Sequence, residues 1–318
     1  MHRDELNETG LTLPRAQARA TGVSGKMAER ALFCSIFAIL TLCSPIASAW
    51  AQGAPPSARE APDLSIELID PNVLRVCADP HNLPFSNDKG EGFENKLAEL
   101  FAEKLHKRLA YTYFPQATGF VRMTLGSHRC DVIMGFPQGD DLVQSTNPYY
   151  RTAYALVYKP GELDGLDRIS DERLKQKRIG VVAGTPPATY LAKESLLGKA
   201  KPYALMIDTR IDSSAEAMIK DLQSGEIDVG VLWGPMAGYY ARTAGLKVVP
   251  LLKDSGGPQL SYRIAMGVRG ADQNWKRQLS RLIQENQPEI NKILIGFGIP
   301  LLDEKDHPIT AGSLNQKP

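Results

Sequence analysis

Leu125-Gly-Ser127-His-Arg-Cys130-Asp131-Val132 and Leu222-Gln-Ser224-Gly-Glu-Ile-Asp228-Val229 carry Leu, Ser, Asp and Val at the same offsets. Each copy ends an apolar stretch of helical spacing and opens a short apolar run, Asp131–Phe136 in one case and Asp228–Trp233 in the other. A run of that length bounded by turn residues reads as a buried strand. The chain therefore holds two α/β units, each delivering a strand to a Gly-containing loop. Two such units imply two lobes that face a cleft.

The pattern extends outward from each copy. Before the first copy come a strand at Leu74–Ala78, a helix carrying Phe93, Leu97, Leu100, Phe101 and Leu105, a strand at Leu109–Phe114 and a short helix at Gly119–Ser127. Around the second come a strand at Arg178–Val182, a helix at Pro186–Leu197, a strand at Tyr203–Ile207, a helix at Ser213–Gln223, a helix at Met236–Thr243 and a strand at Leu246–Pro250. Alternation of this kind predicts helix-covered, mostly parallel sheets. Strands at Tyr154–Tyr158 and Tyr262–Val268 flank the second unit and form a two-stranded hinge. Two helices close the chain, one with Trp275, Leu279, Leu282 and Ile283, the other with Ile290, Ile293, Leu294 and Phe297. The expected division is 72–158 plus 259–302 for lobe 1, 159–258 for an inserted lobe 2 and 303–318 for a tail.

The chain has 318 residues, 43% apolar and 23% charged, with a formal charge of +1. That is ordinary globular composition with no global field for nucleic acid or membrane. Lys26 and Arg30 precede an apolar run at 31–43, followed by Ala47-Ser48-Ala49. Basic, then apolar, then A-x-A is the order of an export signal. The reading is a signal peptide at 1–49 cleaved near Ala49, a Pro/Ala/Gly-rich linker at 50–71, and a mature protein without stable membrane insertion. Cleavage removes five basic and four acidic groups and leaves a formally neutral chain. Cys77 and Cys130 are the cysteines that remain after the signal. An oxidising compartment permits a bridge between them; strand offsets can equally leave two buried thiols.

Enzyme signatures are missing from the sequence. There is no G-x-S-x-G, no G-x-G-x-x-G after a strand and no phosphate loop, and the histidines lack metal-ligand spacing. No catalytic residue, metal or cofactor is assigned. Four loops at strand C-termini converge instead: Asp79–Phe85, Phe136–Gly139, Ala183–Pro186 and Trp233–Pro235. The expected cleft residues are Asp79, Asn82, Phe85, Phe93, Phe136, Gln138, Gly184, Thr185, Trp233 and Tyr239. Tyr149 and Tyr150 either line the cleft or pack beneath it. Asp131 and Asp228 stand at strand starts, away from the ligand end, and read as structural.

Three further stretches carry a family resemblance. They are Leu74-Arg-Val-Cys-Ala-Asp-Pro-His-Asn-Leu-Pro-Phe-Ser-Asn87, Gly90-Glu-Gly-Phe-Glu-Asn95 and Asn147-Pro-Tyr-Tyr-Arg-Thr-Ala-Tyr154. With Arg129–Gly135 and Gly296–Leu302, they resemble the type-3 periplasmic solute-binding proteins. More narrowly, they resemble the MoxJ/XoxJ branch encoded beside quinoprotein dehydrogenases. The resemblance implies the two-lobed periplasmic-binding-protein fold of type II, a periplasmic location and a monomer when free. It also implies service to a pyrroloquinoline-quinone (PQQ) dependent methanol or alcohol dehydrogenase, with that enzyme's c-type cytochrome as a further partner. It leaves open a substrate receptor for an ABC importer. A dehydratase on the same fold would have only Asp79 and Glu94 to work with.

The chain departs from amino-acid-binding relatives at two anchors. Those proteins grip the ligand carboxylate with an Arg after the third strand of lobe 1; here the stretch is Gln138-Gly-Asp140-Asp141-Leu142. They hold the ammonium with an Asp after the last strand of lobe 2; here stands Trp233-Gly234. The expected guest is a bulkier uncharged group or a segment of a partner protein.

Overall fold

The computed structural model describes residues 68–314. The signal peptide and most of the linker lie outside the described residues. In chain order the elements are β1 (Val73–Ala78), β2 (His81–Asn82), β3 (Ser86–Asn87), α1 (Phe93–Lys104), β4 (Arg108–Tyr113), α2 (Phe120–Met123), β5 (Val132–Pro137) and β6 (Gln144–Tyr158). Then follow β7 (Ile179–Val182), α3 (Pro186–Lys193), β8 (Lys201–Tyr203), α4 (Ser214–Ser224), β9 (Val229–Trp233), α5 (Gly234–Ala244), β10 (Lys247–Pro250) and β11 (Ser261–Val268). The chain closes with α6 (Gln273–Glu285), α7 (Gln287–Gly296), β12 (Leu301–Leu302), β13 (Pro308–Ile309) and α8 (Ala311–Leu314).

The strand order is β4-β1-β5-β11-β6-β9-β7-β8, with β10 also paired to β6. β4, β1 and β5 run parallel, as do β8, β7 and β9, while β11, β6 and β10 pair antiparallel. β6 serves both halves. Its residues up to Ala153 pair with β11, Tyr154–Tyr158 pair with β9, and Ala155–Tyr158 pair with β10 on the other side. Strand pairing thus puts the crossing between Ala153 and Tyr154, upstream of the expected boundary at 158. The return crossing lies beside it: Tyr154 N–H donates to Leu260 O (2.9 Å), and Leu251 N–H donates to Tyr154 O (2.8 Å). This is a type II periplasmic-binding-protein fold with a two-stranded hinge.

Hydrophobic periodicity explains the helices that cover each half. Phe93, Leu97 and Phe101 recur every four residues on α1, and all three are buried against β1, β5 and α7. Each contributes roughly 1.5–3 kcal/mol by leaving water. In the other half, Ala215, Met218, Ile219 and Leu222 give α4 the same kind of face. Ser213 caps α4 by accepting from Glu216 N–H, as Ser at a helix start does.

The repeated Asp has the same role twice. Asp131 N–H donates to Arg75 O, and Asp228 N–H donates to Arg178 O, each at 2.8 Å. Each carboxylate takes two guanidinium N–H groups from the same arginine, Arg75 at 2.8 and 2.7 Å and Arg178 at 3.1 and 2.7 Å. The motif staples the start of the third strand to the first strand of its unit. In the first unit Arg269 adds a second guanidinium at 2.9 Å, and Trp275 Nε1 donates to Asp131 O.

Several local expectations are corrected. α2 is a single turn, because Gly119 enters it at positive φ and Thr124 leaves helical geometry. β8 ends at Tyr203, and 204–212 is a loop turned by Asp208, whose carboxylate accepts Arg210 N–H. The expected tail folds back: Leu301 and Leu302 pair with Ile309 and Pro308 across a turn held by the Asp303 carboxylate. Of the two states left open for Cys77 and Cys130, the structure has the disulfide, with Cα atoms 5.4 Å apart.

Candidate functional site

A cavity of about 880 Å³ opens between the two halves. That is within the roughly 300–1,000 Å³ of small-molecule sites. Its floor is the hinge. Tyr154 and Trp233 oppose each other across β6 and β9, and Tyr262 of β11 completes a ring cluster with centroids 5.1–6.5 Å apart. Edge-to-face rings at these distances fix one another. One wall comes from the first unit, with Asn82, Phe85, Phe136 and Tyr150. The other comes from the second, with Thr185, Met236, Tyr240 and the loop 204–214. Leu205, Met206 and Ile211 on that loop are exposed.

Six of the expected residues line this cavity: Asn82, Phe85, Phe136, Tyr150, Thr185 and Trp233. Two arrive with their polar groups engaged. Asn82 Nδ2 donates to Gln116 Oε1 (2.9 Å), and Thr185 Oγ1 donates to Val182 O (2.6 Å). The other expected residues stand elsewhere. Phe93 is fully buried on the inner face of α1. Tyr149 packs beneath the cleft and donates to Met134 O (2.8 Å). Tyr239 stacks on Phe297 outside the cavity, because α5 lies against the 296–300 segment. That approach requires Gly238, where a Cβ would meet Gly298 O at 1.9 Å. Gln138 and Gly184 are exposed turn residues beyond the lining.

Asp79 does not line the cavity; it lies beneath the wall. Its carboxylate accepts from His81 N–H (2.8 Å), Gln116 N–H (2.6 Å) and the Thr209 hydroxyl (3.0 Å). The last bond joins the two halves, as does the Tyr240 hydroxyl donating to Leu83 O at 3.0 Å.

The rim is more charged than the loops imply. Lys89, Arg210, Asp212, Glu216 and Lys220 line it. Arg210 is already paired: its guanidinium grips Asp208 at 2.8 and 2.6 Å and holds that carboxyl at about 2. Among the described residues no group of three or more His, Cys, Asp or Glu could hold a metal ion, and no helix is long and apolar enough to cross a membrane.

Of the carboxylates on the cavity, Asp88, Asp212 and Glu216 are exposed and Glu94 is buried. Glu94, at the start of α1, is 7% exposed and lines the wall. Its carboxyl makes no hydrogen bond or ion pair among the described residues. Burial pushes it up to about 8, with the Asp79 carboxylate adding to the shift. A shift from 4.5 corresponds to about 5 kcal/mol against the charge. The α1 dipole favours the charge by at most about 1 kcal/mol, so burial wins and the carboxyl is held well above the ordinary carboxylate range. The sequence names Glu94 only as an acid/base candidate. Its role as a wall residue depends on Gly135, which stands opposite and has no side chain.

No family model matches the chain. It is 30% identical over 290 residues to Protein MoxJ of Methylorubrum extorquens, covering 86% of this chain and 94% of that protein. Periplasmic binding protein XoxJ from Methylobacterium extorquens AM1 is 42% identical and superposes with a TM-score of 0.63, over 73% of this chain and all of that one. MxaJ from Methlophaga aminisulfidivorans MPT is 26% identical with a TM-score of 0.64, over 72% of this chain and all of that one. The strand order, the hinge crossing and these similarities agree: the chain belongs to the MoxJ/XoxJ-like branch of solute-binding protein family 3.

Proposed function

We propose that this chain is exported to the periplasm through its 1–49 signal and works there, without catalysing a reaction, in support of a PQQ-dependent methanol or alcohol dehydrogenase. The cleft receives a segment of that enzyme or an uncharged ligand it needs. The similarity to MoxJ and XoxJ supports the link to methanol oxidation and the location. The observation that carries the reading is the cleft itself. It has a hinge between two lobes and an aromatic floor of Tyr154, Trp233 and Tyr262; our reading takes Gln138 and Trp233-Gly234 to stand where amino-acid receptors carry charged anchors, which argues against a zwitterionic guest.

The test is capture from a periplasmic extract with residues 50–318 as bait. Recovery of a quinoprotein dehydrogenase supports the proposal. A thermal-shift panel of amino acids and small polar metabolites supplies the opposing result. A ligand at 100 times its dissociation constant adds about 2.7 kcal/mol, and such a gain from a free amino acid favours a receptor for an importer instead.

A further inference from the structure

We infer that the two lobes are braced at one angle by the segment 296–306, and that the cleft opens by a swing of the loop 204–212, latched to lobe 1 through Thr209, instead of by lobe rotation. The inference concerns how the cleft opens. It does not depend on which guest enters.

The brace leaves the end of α7 and runs outside the cavity. It meets α5 of lobe 2 at two glycines. A Cβ at Gly238 would stand 1.9 Å from Gly298 O, and one at Gly234 would stand 2.4 Å from Ala153 O and 3.1 Å from Pro300 Cγ. Tyr239 stacks on Phe297 beside them, and the Arg242 guanidinium donates to Gly296 O. The same segment holds the crossing strands. Thr152 Oγ1 donates to Pro300 O at 2.8 Å, the Arg151 guanidinium meets Asp303 O at 3.3 Å and Asp306 Oδ1 at 2.8 Å, and Arg263 pairs with Glu304. Rotation of lobe 2 about the crossing would drive α5 into this backbone or tear it away. Contacts packed this closely do not deform continuously.

The loop is built the opposite way. Its ends are tied within lobe 2: Ser214 Oγ donates to Ala204 O (2.6 Å), and Ala183 N–H donates to Tyr203 O (2.8 Å). Between them Asp208 accepts both the N–H and the guanidinium of Arg210, so the loop holds its own shape. Closed ends and internal bonds are the construction of an Ω-loop. Among the described residues, its one hydrogen bond to lobe 1 runs from the Thr209 hydroxyl to the Asp79 carboxylate (3.0 Å). Leu205, Met206 and Ile211 line the cavity yet are 53%, 57% and 84% exposed, so they are surface that a seated guest would cover. A segment pinned at its ends and held across the cleft by a single bond moves as a unit when that bond breaks. A hydroxyl bond to a carboxylate shifts the closed-to-open ratio about tenfold or more.

The test is pulsed electron–electron distance measurement on the guest-free mature protein, with nitroxides at exposed positions. Glu103→Cys on α1 with Ala192→Cys on α3 reads the lobe-to-lobe distance, and Glu103→Cys with Ile211→Cys reads the loop. The first pair is expected to give one narrow distance that Thr209→Val leaves unchanged. For the second pair, Thr209→Val should raise a separate open population about tenfold or more relative to the closed one. Thr209→Ser keeps the hydroxyl and should keep the closed distance. Gly238→Ala, or Tyr239→Ala where that variant fails to fold, should spread the lobe-to-lobe distance. A broad or two-state lobe-to-lobe distance without these substitutions overturns the inference, as does a narrow one that the folded brace variant leaves unspread. So does a loop distance indifferent to Thr209→Val. Capture of the dehydrogenase is a separate result, so each of those failures leaves the proposed function standing.

Discussion

Replacing Asp131 by Asn should cost more stability than replacing Asp228 by Asn, although the two occupy the same place in a repeated motif. Asp131 has no exposed side-chain surface and meets Arg75, 18% exposed, and Arg269, 8% exposed. Removing one partner of a buried ion pair costs about 3–5 kcal/mol because the other charge stays buried. Asp272 still faces Arg269 at 2.7 Å, which places the loss near the lower end, about 3 kcal/mol. Asp228 is 29% exposed and Arg178 59% exposed, so solvent takes over much of that pairing. Exposed pairs are worth about 0–1 kcal/mol, and loss of the bond from Arg178 N–H adds about 1 kcal/mol. The assay is urea unfolding of the mature protein. With a slope of about 3 kcal/mol/M, Asp131→Asn lowers the midpoint by about 1 M and Asp228→Asn by about one-third to two-thirds of that. Equal shifts, or a larger one for Asp228→Asn, would refute the claim that burial sets the strength of this staple.

Two other substitutions test the cleft wall and the bridge beside it. The Glu94 carboxyl has a higher pKa folded than unfolded, so the folded protein binds the extra proton and stability falls as pH rises from about 4.5 to about 8. Glu94→Gln should therefore gain stability over the wild type across that window, by up to about 5 kcal/mol above it; a pH-independent difference in unfolding free energy contradicts the assignment. The Cys77–Cys130 bridge spans 53 positions, and chain entropy gives a loss of about 4 kcal/mol for the double Cys→Ser variant. Unchanged calorimetric unfolding of that variant would mean the bridge does not constrain the unfolded chain.

Elements with strong internal periodicity were readable from the sequence. The repeat located β5 and β9, and the Phe93, Leu97, Phe101 spacing located α1. The cleft was harder, because an aromatic residue beside a loop has two places to go. Phe93 and Tyr149 went into the core, since the inner face of α1 and the underside of β6 needed filling. Phe85 and Tyr150 went to the cavity. The loop 204–212 was misread because Tyr203 to Ile207 is apolar; Asx turns at Asp208 and the hydroxyl bond from Thr209 to Asp79 decide its path, and the latter is a tertiary contact. Tyr154 and Tyr262 entered the site through the crossing of β6 and β11, a consequence of strand pairing between distant segments. Glu94 was visible as a cleft candidate, but its raised pKa follows from burial and from the nearby Asp79 carboxylate, which only the fold brings about.

The central claim is that an aromatic-floored cleft without amino-acid anchors engages a quinoprotein dehydrogenase. Calorimetric titration of the purified dehydrogenase into the mature protein, wild type and Trp233→Ala, tests it most directly. The account predicts saturable binding by the wild type and at least a tenfold weaker constant, about 1.4 kcal/mol, for Trp233→Ala with its unfolding transition retained. No heat of binding from the wild type, or equal affinity in the variant, would contradict it.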